Sequence, residues 1–246
     1  MSIHIIGDSH GGAFYSIGAK NTYSCISGSY WDLNDEVNSN GVYLSWIGPV
    51  TAFRIARDGL DIRQYHVKNN DIVIYNFGEI DCRTNIHKHV QENNNYQENI
   101  KNIIDGYIKT VQLNHKNLNL HTSIIYNVIP TFKITKDDKT DHGQYPFLGT
   151  NEDRKKYTLY FNKLLKQECI KYNILFFDVY DMLVSEDGFL DSSVSNNDGI
   201  HVDSSLQNTK DIISDFMVKN LPITLDISED DDRLDDTRVG VRIKLL

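Results

Sequence analysis

Ser9, Asp198 and His201 are the residues of this chain whose types and spacing can do covalent chemistry. Ser9 stands in Gly7-Asp8-Ser9-His10-Gly11-Gly12, directly behind the apolar run Ile3-His4-Ile5-Ile6. Glycines behind a strand permit a sharp turn, leave the serine uncrowded and free backbone N–H groups to face a ligand. A serine hydroxyl becomes a nucleophile only when a base takes its proton, and the base needs an acidic partner to orient it. Asp198-Gly199-Ile200-His201 supplies both, because an Asp and a His three residues apart in a tight loop can present their side chains on one side. Singly, Ser9 reads as a helix N-cap and Asp198-Gly199 as a turn. Jointly, at strand ends from opposite ends of the chain, they read as a nucleophile and its base.

Other residue groups were weighed against simpler roles. Glu79 and Asp81 in Gly78-Glu79-Ile80-Asp81-Cys82-Arg83 could be the paired acids of a glycosidase, but carboxylates at a strand end are usually held by local hydrogen bonds. His87 and His89 with Cys82 suggest a metal by residue type alone, and two histidines at i and i+2 diverge on a helix, so no metal is expected. The turn around Ser9 lacks the lysine of a phosphate-binding P-loop and does not fit Gly-x-Gly-x-x-Gly. Tyr157, Tyr160 and Phe161 read as core rather than as a sugar platform. No cofactor is implied.

The elements that must position these residues are strands and helices in alternation. Apolar runs at Ile3–Ile6, Val42–Ile47, Asp71–Phe77, Thr122–Ile129 and Ile174–Val179 are rich in Ile and Val without alternation, as in strands covered on both faces of a parallel sheet. Between them, Tyr96–Leu113, Glu152–Tyr172 and Ser204–Asn220 place apolar residues three and four apart, the stripe of an amphipathic helix. This predicts an α/β fold, a three-layer α/β/α sandwich with right-handed crossovers around a mainly parallel sheet. Ligands gather at the carboxyl ends of such strands. The polar connection from Thr131 to Thr150 reads as a binding loop or a surface excursion. The acidic stretch Ser228–Asp236 reads as a solvated tail, with Val241-Arg-Ile-Lys-Leu-Leu246 able to add an edge strand.

The bulk properties exclude several classes. With 246 residues, 40% of them hydrophobic, the chain can bury one sizeable core. A formal net charge of −9 argues against binding nucleic-acid phosphates. No window reaches the ~20 apolar residues of a membrane span. Three cysteines, Cys25, Cys82 and Cys169, build no disulfide framework, and the first ten residues lack the basic and apolar regions of a signal peptide. The expected location is therefore cytoplasmic.

Gly7-Asp8-Ser9 after the first strand, a glycine-bearing middle segment and the late Asp198-x-x-His201 together resemble the SGNH/GDSL hydrolase superfamily. The resemblance covers residues 1 to 220, leaving 221 to 246 as a tail. It implies a flavodoxin-like three-layer fold and a serine esterase, lipase or carbohydrate deacetylase. It further implies that Ser9 is the nucleophile and lends its N–H to the oxyanion hole, that His201 is the base and that Asp198 orients it. Gly48 and Gly78 match the second- and third-block glycines. The third block departs from the pattern: the superfamily reads Gly-x-Asn-Asp, and Ile80 stands where the asparagine donates to the oxyanion. Arg83 is the substitute donor nearby, unless it only pairs with Glu79 or Asp81 to brace the loop. The stretch Phe77–Arg83 resembles a divergent SGNH branch associated with glycan-modifying genes. The expected activity is deacylation of a carbohydrate ester. Its alternatives are acyl transfer to a sugar hydroxyl by the same triad and a catalytically silent module that binds glycan or protein.

Overall fold

The computed structural model describes residues 1–24, 29–30, 41–90, 95–135, 145–196, 198–221, 223–228 and 240–245. Cys25, the middle of the 131–150 connection and residues 229–239 of the acidic tail lie outside the described residues.

The five apolar runs become strands of one sheet, which two further short strands extend. In chain order these are β1 (Ile3–Gly7), β2 (Lys20–Ser24), β3 (Ser29–Tyr30), β4 (Val42–Trp46), β5 (Ile72–Asn76), β6 (Thr122–Tyr126) and β7 (Leu175–Phe177). They lie side by side in the order β3-β2-β4-β1-β5-β6-β7. The pairings β2–β4, β4–β1, β1–β5, β5–β6 and β6–β7 are all parallel, and β3 alone runs antiparallel, against β2. β1 is therefore central, which buries it on both faces and explains its uninterrupted apolar run.

Successive side chains of each strand enter different cores. On one face Ile6, Val73, Tyr75 and Ile125 pack with α1 (Ala52–Asp58), α3 (Tyr96–Leu118) and α4 (Asn151–Lys171). On the other, Ile3, Ile5, Ile72, Ile74 and Ile124 pack with the 3₁₀ segment Ser9–Ile17 and α6 (Gln207–Asn220). The short helices α2 (Ile86–Val90) and α5 (Tyr180–Leu183), a 3₁₀ turn at Ile62–Tyr65 and a π-helical turn at Asp81–Asn85 complete the described helices. Three layers follow, as the sequence predicts. Tyr157 and Phe161 are buried in the first core, and the partly buried Tyr160 packs against it.

Several boundaries differ from the sequence reading. β6 stops at Tyr126 rather than Ile129, because Asn127 is buried as a corner post: its Oδ1 accepts from Val179 N at 2.9 Å and its Nδ2 donates to Val128 O at 2.9 Å. α3 continues past Leu113 to Leu118 and stops where Asn119 takes a left-handed conformation. α6 starts at Gln207, three residues later than Ser204, since the Asp203 carboxylate holds Ser205 N and Oγ in a turn. β2 and α1 were not foreseen, as Lys20-Asn-Thr-Tyr-Ser24 has no apolar run and α1 spans only seven residues. The segment Gly240–Leu245 does not extend the main sheet; as β9 it pairs antiparallel with β8 (Ile223–Ser228) in a separate two-stranded ribbon. None of the described helices is long and apolar enough to cross a membrane.

Candidate active site

Parallel register sets the floor of the site. Trp46, Gly7 and Asn76 stand side by side on β4, β1 and β5. Gly48, Ser9 and Gly78 each lie two residues beyond that row, so the three sequence blocks meet at the same carboxyl edge. Asp8 caps the turn behind β1: its N–H donates to Asn76 O at 3.2 Å, and its Oδ1 accepts from His10 N at 2.9 Å. Ser9 then opens the 3₁₀ segment, a position whose backbone N–H has no partner within the helix.

The late loop delivers the other two residues. Ser195 and Val202 form an antiparallel bridge, and Asn196 N donates to His201 O at 2.9 Å, closing a tight loop between them. Buried Ile200 and Val202 anchor it to the protein. Gly199 turns the chain at φ +70°, and a Cβ there would lie 2.6 Å from the Phe132 ring, so the loop needs glycine on both counts. Asp198 Oδ1 accepts from the N–H groups of Ile200 and His201, at 2.8 and 3.0 Å.

These supports bring the three side chains into one chain of hydrogen bonds. His201 Nδ1 lies 2.6 Å from Asp198 Oδ2, and His201 Nε2 lies 2.7 Å from Ser9 Oγ. A carboxylate can only accept, so Nδ1 carries the proton and Nε2 is free to accept from the Ser9 hydroxyl. Burial pushes the Asp198 carboxyl up, but the His201 ring and the two loop N–H groups outweigh it and hold the carboxyl below its usual range. The His201 imidazole is held below its ordinary value, first by burial and next by the positive charge of His10, against the pull of Asp198. It is thus an unprotonated acceptor at neutral pH.

In the third block the carboxylates are held by protein partners, the reading preferred over a pair of glycosidase acids. Glu79 and Asp81 have separate partners. Glu79 Oε1 lies 3.1 Å from Arg83 Nε, and Oε2 lies 3.7 Å from His10 Nε2. Asp81 is fully buried and caps the start of α1, accepting from Ala52 N at 2.6 Å and Phe53 N at 3.3 Å. That contact ties the turn after β5 to the segment following Gly48. Burial pushes the Asp81 carboxyl up to about 7. Ile80 is buried and offers no side-chain donor. Arg83 forms an ion pair with Glu79 in which Nε makes no hydrogen bond, and lays its guanidinium over the Phe147 ring at 5.1 Å, with Arg154 over the same ring, also at 5.1 Å.

The groups weighed as metal ligands go to different neighbours. His87 Nδ1 lies 3.1 Å from Tyr157 Oη, and His89 faces the Phe53 ring beside a cavity of about 260 Å³ between α1, α2 and α3. Cys82 is a buried free thiol, pushed up by burial. No group of three or more possible metal ligands occurs among the described residues.

His10 is the site residue that the sequence reading passed over. Its ring packs at 4.6 Å, tilted 35°, against the ring of His201. The signal was present in the sequence, since a titratable ring directly follows the serine, but its neighbour is 191 positions away and only the fold brings them together (201 minus 10). The long connection also contributes: Phe132 at its start packs on Gly199, and Phe147 near its end packs on Arg83.

No protein-family profile and no curated protein matches the chain. Solved structures do. A Streptococcus pneumonia protein assigned as a platelet activating factor is 15% identical, with a TM-score of 0.52 over 87% of this chain and 82% of its own. A Bacteroides fragilis protein assigned as an acylhydrolase is 15% identical, with a TM-score of 0.51 over 89% and 85%. A GDSL-like lipase of Bacteroides thetaiotaomicron is 14% identical, with a TM-score of 0.50 over 89% and 86%. With the strand order and the layers above, these likenesses show that the chain shares the three-layer α/β/α fold of these structures.

Proposed function

We propose that this protein is a serine esterase of the SGNH type that deacylates a carbohydrate ester through an acyl-enzyme on Ser9. The observation that carries the reading is the unbroken hydrogen-bond chain Ser9–His201–Asp198, drawn from opposite ends of the sequence. Ser9 Oγ attacks the ester carbonyl carbon as its proton passes to His201 Nε2, forming the Oγ–C bond and placing the negative charge on the former carbonyl oxygen. The tetrahedral species collapses by breaking the C–O bond to the alcohol, and His201 returns the proton to the departing oxygen. Water, deprotonated by the same imidazole, then releases the acid. Asp198 holds the ring in the required tautomer and stabilises the imidazolium.

The oxyanion donors we assign are the N–H groups of Ser9 and Gly48, with Arg83 in place of the absent asparagine. A guanidinium has five N–H donors, so pairing its Nε with Glu79 leaves others to give. Gly78 shapes the turn that brings Arg83 there. The acidic net charge supports a neutral or carbohydrate partner over nucleic acid. The buried free thiols of Cys82 and Cys169 accord with a cytoplasmic location.

A fluorophosphonate probe tests the reading. Phosphonylation of Ser9, mapped by mass spectrometry and absent in His201→Ala, is the expected result. A wild-type protein that stays unlabelled while folded refutes it. Incubating the labelling-competent enzyme with an acetylated sugar and a second sugar acceptor separates hydrolysis from acyl transfer, since only the latter leaves a newly acylated acceptor.

A further inference from the structure

Beside the triad lies a second line of charged groups that the esterase reading does not use. His10 is buried directly after the nucleophile. Its Nδ1 donates to Asp8 Oδ1 at 2.9 Å, and its Nε2 points toward Glu79 Oε2 at 3.7 Å. The two carboxylates thus bracket the ring from opposite nitrogens. Among the described residues, no atom makes a hydrogen bond to His10 Nε2. One flat face of the ring is left for His201, whose centroid is 4.6 Å away.

We propose that His10 is a positioning residue for the base: bracketed by Asp8 and Glu79, it places a positive charge against the His201 ring and so sets when His201 can accept the Ser9 proton. This deepens, and rests on, the reading of Ser9, His201 and Asp198 as an acylating triad. The charged groups that face His10 are Asp8 on its own turn, Glu79 and Arg83 from the turn after β5, and His201 from the late loop. Burial opposes a charge on His10, but the Asp8 and Glu79 carboxylates outweigh burial and Arg83 and hold its proton on above the ordinary imidazole value. The same charge helps to hold His201 below it.

Two consequences follow for the reaction. A neighbouring cation makes His201 a weaker base and its imidazolium a stronger acid. The balance favours delivering the proton to the departing alcohol oxygen and keeps the base unprotonated in mildly acidic solution. The active pH window is bounded below by His201 and above by loss of the His10 proton.

The test is a pH titration of the ring nitrogens by ¹⁵N NMR on the full chain with labelled histidine, in wild type, His10→Gln and Glu79→Gln. Wild type is expected to show His10 titrating above pH 6.5 and His201 below it. In His10→Gln the His201 midpoint should rise by about one to two pH units, between the values for unit charges 4.6 Å apart in bulk water and at an effective dielectric of about 20. The acid limb of kcat/KM should move up with it, and the alkaline limb should disappear. His10→Asn is the second neutral variant should His10→Gln fail to fold, and its His201 midpoint should rise likewise; Glu79→Gln, whose carboxylate also faces His201, should lower the His10 midpoint. An unmoved His201 midpoint in folded His10→Gln overturns the proposal, as does a His10 ring that is neutral at pH 6 in wild type. The titrations need no substrate: coupled midpoints without any ester turnover would overturn the esterase reading and leave the coupling standing.

Discussion

Gly7 of β1 lies in register with Asn76 of β5, so close that a Cβ on Gly7 would sit 2.3 Å from the Asn76 carbonyl oxygen. That oxygen also accepts the Asp8 N–H, so the contact sets the height at which the Ser9 turn leaves the sheet. Gly7→Ala must push β1 and β5 apart, because backbone cannot move aside as a side chain end can. The expected cost is about 2–3 kcal/mol of stability. Thermal unfolding checks it, and a midpoint equal to wild type would show that the register relaxes freely.

Ser9→Ala should abolish turnover of short acyl esters and probe labelling while leaving the unfolding midpoint near that of wild type, since the hydroxyl contributes a hydrogen bond to His201 and little packing. Equal esterase rates for mutant and wild type would remove the serine mechanism.

The acid limb of the pH profile should lie below the ordinary imidazole value near 6.5, because burial and His10 both disfavour the His201 imidazolium. Activity should therefore be present by pH 6 and fall as pH drops through the lowered His201 pKa. Asp198→Asn removes the carboxylate that supports the charged ring, and should cost about 10⁴-fold in kcat. A profile flat from pH 4 to 8 on the chemical step would contradict the assignment.

Arg83→Lys should lower kcat about 10²-fold with KM nearly unchanged, if the guanidinium donates to the oxyanion. A brace behaves otherwise. If the variant unfolds early through loss of the Glu79 and Phe147 contacts, while its folded fraction turns over normally, the donor role is wrong.

Asp81 predicts a pH dependence of stability. Its folded pKa, about 7, is raised above the value of 3.8 for a free side chain, so the folded state binds the proton more tightly. The stabilisation is complete below pH ~4 and is lost as pH rises through about 7, by an amount of a few kcal/mol. Asp81→Asn should flatten this slope because the amide carries no charge; its one oxygen replaces only one of the two carboxylate oxygens that accept from Ala52 and Phe53, so the variant should also be less stable at every pH. Unfolding midpoints from pH 4 to 8 for both proteins measure the difference. A wild-type slope that survives in the variant would place its origin elsewhere.

Much of this protein is legible without coordinates. The runs Ile3–Ile6, Val42–Ile47 and Asp71–Phe77 read as buried strands because a parallel sheet leaves neither face wet, and a chain of such runs separated by helical stripes admits few architectures. Ser9 and the Asp198–His201 pair are legible for a related reason: their chemistry depends on short local turns, and glycine spacing records those turns. The weak strands are not legible. β2 exposes part of its surface at the margin of the sheet, so its sequence need not be apolar. Strand order, which seats β4 beside β1 and so brings the segment of Gly48 to the same carboxyl edge as Ser9, is written in no single segment.

Charge pairing was decided by tertiary structure alone. From the sequence, Arg83 could face Glu79, Asp81 or an oxyanion, and the fold gives its Nε to Glu79 while Asp81 turns to the start of α1. His10 reads as any residue after a serine until the loop ending at His201 folds back over it. Electrostatic interactions act through space and fall with distance. They depend on which strand ends the topology makes neighbours, and residue order along the chain does not encode that directly.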